Sequence, residues 1–193
     1  MRKVIHKNGT PGNDTFYAST NDDYYYSGRA GSDIIVTLAG NDRLNGDAGQ
    51  DLVDGGQGND IIHGGAGYDD LRGEEGKDRL YGDSGNDILY GGMDRDILRG
   101  GVGKDSFVFF TNNLTGRGSD LDIVKDFTVK GRNADYLGMA VAGTDGVMIT
   151  TYDDLVPYMS QRNGDVHIAF DSGDTLIIEN VRLRQINEDH FIF

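Results

Sequence analysis

Between residues 28 and 108 a single apolar side chain recurs at every ninth position, set among glycines, aspartates and other polar residues. The apolar series is Ile35, Leu44, Val53, Ile62, Leu71, Leu80, Leu89, Leu98 and Phe107. Two residues before each stands an aspartate: Asp33, Asp42, Asp51, Asp60, Asp69, Asp78, Asp87, Asp96 and Asp105. Glycine opens every unit except the one that begins with Thr37, and it stands fourth in every unit except the one with Asp94. The unit is G-G-x-G-x-D-x-apolar-x, as in GGQGNDIIH (55–63), GGAGYDDLR (64–72) and GEEGKDRLY (73–81), with no insertion or deletion.

A period of nine matches neither a helix face nor the alternation of a long strand. The last three residues of each unit predict a short strand, its central apolar residue facing inward and its neighbours outward. One unit cannot bury its lone apolar side chain, so the units must stack on one another. Glycine reaches positive φ without a clash and lets carbonyls converge, and aspartate supplies a hard carboxylate oxygen. Two weaker copies come first. Residues 9–17 keep Asp14 and Phe16 in place. Residues 18–26 keep Asp23 and Tyr25 but not the glycines, and Ser27 is read as an extra residue that breaks the register. Tyr25 is expected in the core, although Tyr24, Tyr25 and Tyr26 together also suit carbohydrate stacking.

Composition narrows the choice. With 32 acidic residues against 18 Lys plus Arg, the net charge of −14 argues against nucleic acid as a partner and favours cations. An acidic chain with 30 glycines could be disordered, but a random linker would not hold an apolar residue in one phase of nine. There is no cysteine, so disulfides and thiolate zinc sites are excluded. The first nine residues are basic without the apolar segment of a secretory signal, and no run is long enough to span a membrane. Export without a cleavable signal is the expectation.

The nonapeptides resemble the RTX family of calcium-binding repeats. The resemblance implies an all-β fold, a right-handed parallel β-roll with two units per turn and calcium as cofactor. It implies ions held between successive turns by the paired aspartates 33 with 51, 42 with 60, 51 with 69, 60 with 78, 69 with 87, 78 with 96, and 87 with 105. Asp14 joins them as a weaker candidate, and the carbonyls of Gly55, Gly56, Gly58, Gly64, Gly65 and Gly67 illustrate the main-chain ligands. Seven divalent ions would offset the net charge of −14. Thr37 and Asp94 depart from the pattern and weaken the carry-over at their turns.

Three segments are expected: degenerate repeats at 1–27, the array at 28–108, and a C-terminal cap at 109–193. In the cap, strands are expected at 122–127, 166–170 and 175–179, a short helix within 152–161, and a turn at 171–174. Asp122-x-Ile-x-Asp-Phe127 and Asp189-x-Phe-Ile-Phe193 look like the caps of RTX proteins. That likeness implies an uncleaved signal for the type I secretion machinery and an extracellular location.

Enzymatic motifs are absent. There is no H-E-x-x-H and no G-x-S-x-G, the four histidines are scattered, and Gly76-Lys77 and Gly103-Lys104 lack the rest of a phosphate loop. Asn8, Asn13 and Asn113 match the N-x-T pattern by chance. A non-enzymatic calcium module is therefore expected, with a binding module for an acidic extracellular polysaccharide as the alternative. If alternate units belong to opposite sheets, Arg43, Arg79 and Arg99 share an outer face with His63 and Tyr81 and with no acidic residue of the same strands. Guanidinium groups suit carboxylates. The other face, with Ile34, Val36, Leu52 and Ile88, is the more apolar one and a candidate for covering by the cap or a partner.

Overall fold

The computed structural model describes residues 2–111, 121–142, 148–149, 151–170 and 173–192. Each unit turns through its glycine-rich half and then runs straight for its last three residues, so the array forms strands on alternate sides of a flattened coil. Ile34–Val36 pairs in parallel with Leu52–Asp54, and Arg43–Ala48 with Ile61–Ala66, each residue facing the one 18 positions on. Two nonapeptides thus make one turn of a parallel β-roll. Among the described residues the strands form a ten-stranded and a nine-stranded sheet, back to back.

The nine apolar side chains of the array line the space between the sheets, none more than 1% exposed. Each such burial stabilises the roll by roughly 1.5–3 kcal/mol. No single unit supplies enough, which is why stacking and folding are one process.

The register corrects the reading of the first repeats. Tyr25 pairs with Arg43, Tyr26 with Leu44 and Ser27 with Asn45, so Ser27 is in register and the extra residue is absorbed earlier, between Ala18 and Asp22. Tyr24 and Tyr26, at 2% and 7% exposure, are the buried pair, and Tyr25 points outward. Val4–Asn8, read only as a basic leader, is a further strand that pairs with Asp23–Ser27.

Both sheets continue past Val108. Ser106–Thr111 pairs in parallel with Tyr136–Ala142, and Ile97–Arg99 with Leu121–Val124, which then pairs with Thr175–Ile178. Beyond it Asp165–Ala169 and Met159–Arg162 run antiparallel. Phe107, Phe127, Leu137, Val166, Ile178 and Phe191 belong to one core with the array. The helix expected within 152–161 is one turn, Tyr152–Leu155, capped by Thr151 and followed by a 3-10 turn at Val156–Tyr158. Pro157 cannot donate the next helical hydrogen bond, and Met159 already begins a strand. Asp171 and Ser172 of the expected turn, Asn113, and the terminal Phe193 lie outside the described residues.

Candidate metal sites in the turns

The turns form two rows, one along each edge of the roll. Asp33, Asp51, Asp69, Asp87 and Asp105 lie in the turns that enter the nine-stranded sheet. Asp42, Asp60, Asp78 and Asp96 lie in those that enter the ten-stranded sheet. All nine are at most 3% exposed.

Within each row the aspartates are linked through main chain. The N–H of Asp33 donates to Oδ1 of Asp51, that of Asp51 to Asp69, Asp69 to Asp87, and Asp87 to Asp105, at 2.7–3.0 Å. In the other row Asp42 donates to Asp60, Asp60 to Asp78, and Asp78 to Asp96, at 2.7–2.8 Å. All seven pairs drawn from the resemblance are therefore neighbours.

Oδ1 is satisfied; Oδ2 is not. In Asp33, Asp42, Asp51, Asp60, Asp69, Asp78, Asp87 and Asp105 it is buried and accepts no hydrogen bond from the described residues. A charged oxygen in that position demands a cation or a proton. Burial pushes Asp60 up to about 8, Asp78 and Asp87 to about 7, and Asp69 to about 6. The donated N–H bonds offset this only in part, and nearby carboxylates add to it. Asp33, Asp42, Asp51 and Asp105 are raised by the same burial, Asp42 with some relief from the N–H of Tyr24.

The glycines keep these oxygens approachable. A Cβ on Gly28, Gly46, Gly73 or Gly82 would lie 2.2–2.5 Å from Oδ2 of the unit's own aspartate. It would also lie 2.5–2.6 Å from the carbonyl oxygen of the first glycine one turn on. The fourth glycine serves packing instead: a Cβ on Gly58, Gly67, Gly76, Gly85 or Gly103 would fall 1.3–1.6 Å from the carbonyl one turn back. Among the described residues no three His, Cys, Asp or Glu side chains gather as a metal cluster. A cation in these turns would draw on main-chain oxygens beside one or two carboxylates, a hard-oxygen set suited to calcium.

Asp14 differs from the nine. It donates its N–H to Asp33, but its own Oδ2 takes the N–H and hydroxyl of Thr10 at 2.5 and 3.0 Å. Two row members were missed in the sequence. Asp96 donates to Oδ1 of Asp122 at 3.1 Å, and Asp105 to Oδ1 of Asp135 at 3.0 Å. Asp135 also accepts the N–H of Thr128 at 2.7 Å and is pushed by burial to about 6. Asp126 receives the N–H groups of Gly100 and Gly101 at 3.0 and 3.1 Å. Asp122 and Asp126 were visible as a cap motif, but separations of 26 and 30 residues hide the continuation of the rows.

On the outer face of the ten-stranded sheet, Arg43, Arg79 and Arg99 fall as the alternation predicts. The guanidinium of Arg43 lies 4.8 Å over the Tyr25 ring and donates to its hydroxyl. His63 stacks on Tyr81 at 4.5 Å and contacts Asp83 at 2.8 Å. Asp47 receives Ser27 and Asn45. The face is therefore not free of acidic groups, because the strands Arg43–Ala48 and Arg79–Ser84 run past the three expected residues and set Asp47 and Asp83 on it. An open groove there is lined by His6, Tyr25, Arg43, Asn45, Ile61 and His63. On the opposite face Phe110 meets Tyr90 edge-on at 5.3 Å, while Ile34 stays 38% exposed and is not covered by the cap.

The sequence model of the RTX calcium-binding nonapeptide repeat matches this chain at residues 8–35, 27–62, 38–71, 54–89 and 72–107. No curated protein matches it. Among solved structures, the AlgE6R3 subunit of the mannuronan C5-epimerase from Azotobacter vinelandii is similar, with a TM-score of 0.51 and 25% identity. That match covers 70% of this chain and 78% of the subunit. The extracellular lipase LipA from Serratia marcescens overlaps with a TM-score of 0.41 and 18% identity, over 100% of this chain and 40% of the lipase.

Proposed function

The chain belongs to the RTX calcium-binding nonapeptide repeat family, and from that premise we propose that its two rows of turns hold calcium and that the ions drive the roll to fold outside the cell. The observation that carries this reading is the unpartnered Oδ2 of Asp33, Asp51, Asp60, Asp69, Asp78, Asp87 and Asp105, each buried and facing a space that only glycine leaves open. Asp33, Asp51, Asp69, Asp87 and Asp105 serve one row; Asp42, Asp60, Asp78 and Asp96 serve the other. First-position carbonyls such as those of Gly46 and Gly64 complete the ligands, with Gly56, Gly58, Gly65 and Gly67 shaping the same turns. The seven aspartate pairs offer seven positions. Calcium supplies the positive charge that stacked, buried carboxylates lack.

In this reading the module is structural and not catalytic. The described helices include none long and apolar enough to cross a membrane. Extracellular calcium modules bind at about 10⁻⁴–10⁻³ M, so the array stays unfolded in the cytosol and is exported in that state by a type I system. Residues 109–193 act as cap and uncleaved signal, behind the array at 28–108 and the degenerate repeats at 1–27. Circular dichroism during a calcium titration tests the core of this. A cooperative gain of β signal is expected with calcium and not with magnesium, which prefers smaller octahedral sites. An unchanged spectrum on chelation would overturn it.

A second reading has its own support in the groove beside Tyr25 and Arg43 and in the likeness to a subunit of an enzyme named for mannuronan. Here the arginine face binds an acidic polysaccharide such as a uronate polymer. Replacing Arg43, Arg79 and Arg99 together with Ser should abolish binding to alginate at constant calcium. Equal binding by the unchanged chain and the triple variant sinks this reading.

A further inference from the structure

We propose that the turn at Asp42 takes no calcium, because the side chain of Thr37 occupies the place of the ion; the inference rests on the calcium reading of the turns. In all eight glycine-led turns the point where a Cβ would stand is 2.2–2.5 Å from Oδ2 of the aspartate, and at Gly28, Gly46, Gly73 and Gly82 it is also 2.5–2.6 Å from the next carbonyl. Calcium–oxygen contacts are about 2.3–2.6 Å. The direction of the missing Cβ therefore leads into the space a cation needs. Of the nine units of the array, only that at 37–45 sends a carbon there.

Thr37 is 3% exposed, so its side chain lies inside the turn and not over its rim. Its hydroxyl donates to the carbonyl of Gly55 at 2.6 Å. Gly55 holds, one turn on, the same place that Gly46 holds for Gly28 and Gly91 for Gly73, whose carbonyls stand beside the aspartate oxygens. The acceptor that a cation would use at the Asp42 turn is thus taken by a hydroxyl proton. The first unit of the other row is closed in a related way, since Thr10 donates both N–H and hydroxyl to Oδ2 of Asp14.

Near its N-terminal end each row therefore has a turn fastened by a threonine, and metal binding starts beyond it. Of the seven positions between the array's own aspartates, six therefore take calcium. Thr37 acts as a fixed substitute for the missing one, and it holds its turn at any calcium concentration at which the strands are stacked.

The test is the number of calcium ions bound per full-length chain, measured by equilibrium dialysis at saturating calcium, with circular dichroism as the check on folding. Thr37→Gly should bind one ion more than the unchanged chain, and Thr37→Ser the same number as the unchanged chain, because serine keeps both the carbon and the hydroxyl. Adding Asp42→Asn to Thr37→Gly should return the count to that of the unchanged chain, which ties the gained ion to this turn. Equal counts for the unchanged chain and Thr37→Gly overturn the proposal. A lower count for Thr37→Gly also overturns it, by showing that the threonine oxygen is itself a ligand. If none of the folded chains binds calcium, it is the calcium reading of the turns that fails.

Discussion

The two edges of the roll carry the same aspartate ladder on different glycine frameworks. The five turns entering the nine-stranded sheet keep glycine at both the first and the fourth position. Of the four entering the ten-stranded sheet, the first has Thr37 and the last has Asp94. The N–H to Oδ1 bonds are nevertheless alike on both edges, 2.7–3.0 Å on one and 2.7–2.8 Å on the other. The ladder is a property of stacked main chain and tolerates a changed glycine. The space around Oδ2 does not, because it is defined by the missing Cβ.

Asp94 shows the second kind of loss. Its φ of 80° is left-handed but far from the 131–154° of the fourth-position glycines Gly58, Gly67, Gly76, Gly85 and Gly103. The hydrogen bond from Gly76 to Met93 stretches to 3.3 Å, against 2.7–2.8 Å for Gly58 to Glu75, Gly67 to Ser84 and Gly85 to Val102. A β-carbon is accommodated there by opening the turn.

The largest effect should come from the one feature the edges share, the core column. Leu71→Asp places an unpaired charge at a fully buried position and should cost well over about 4 kcal/mol. Circular dichroism should then show no roll even in saturating calcium; a folded variant would mean the column does not hold the two sheets together.

The next effect separates the middle of an edge from its end. Asp69 is linked to Asp51 on one side and Asp87 on the other. Asp69→Ala should raise the calcium midpoint of folding about tenfold, or ~1.4 kcal/mol, while Asp33→Ala should move it only a few-fold. Equal shifts at matched calcium would argue against coupling along the row.

Acidity sharpens the comparison differently. A carboxyl whose folded pKa is raised makes its stabilising contribution in full below the unfolded value. It loses that contribution as pH rises through the folded value. For Asp60, Asp78, Asp87 and Asp69 the folded values are about 8, 7, 7 and 6, so the calcium-free roll is disfavoured as pH rises from about 4 to 8. Acidification in the presence of chelator should therefore increase β signal, and protons should compete with calcium. Asp60→Asn should increase the calcium-free β signal at pH 8 more than Asp33→Asn does. A calcium-free spectrum that does not change between pH 8 and 5 would contradict this.

The smallest effect should be Asp94→Gly, which restores the fourth glycine on the irregular edge. A gain of up to about 1 kcal/mol is expected from relief of the left-handed backbone, read as a rise of a few degrees in thermal midpoint at saturating calcium. A lower midpoint would show that the open turn is stabilised by Asp94 itself.

Much of the roll was legible before any coordinates. An uninterrupted period of nine determines which residues face inward, because every unit presents its aspartate and its apolar residue at the same phase. The stacking of units 18 residues apart came from the family resemblance and not from the period itself. Where the period falters, only the tertiary structure decides. Near Tyr25 an insertion of one residue can be absorbed on either side of the strand. Burial of Tyr24 and Tyr26 against Phe16 selects one of the two, with ring centroids 5.4 and 4.5 Å apart. Asp122 and Asp135 join the rows through long connections that sequence spacing cannot register, and Asp47 and Asp83 share the arginine face because two strands run past the three residues each unit was expected to give. Local repetition is written in the chain because each unit solves the same packing problem. Which oxygen stays open, and which is already closed by a threonine, depends on side chains that meet only after the turns have stacked.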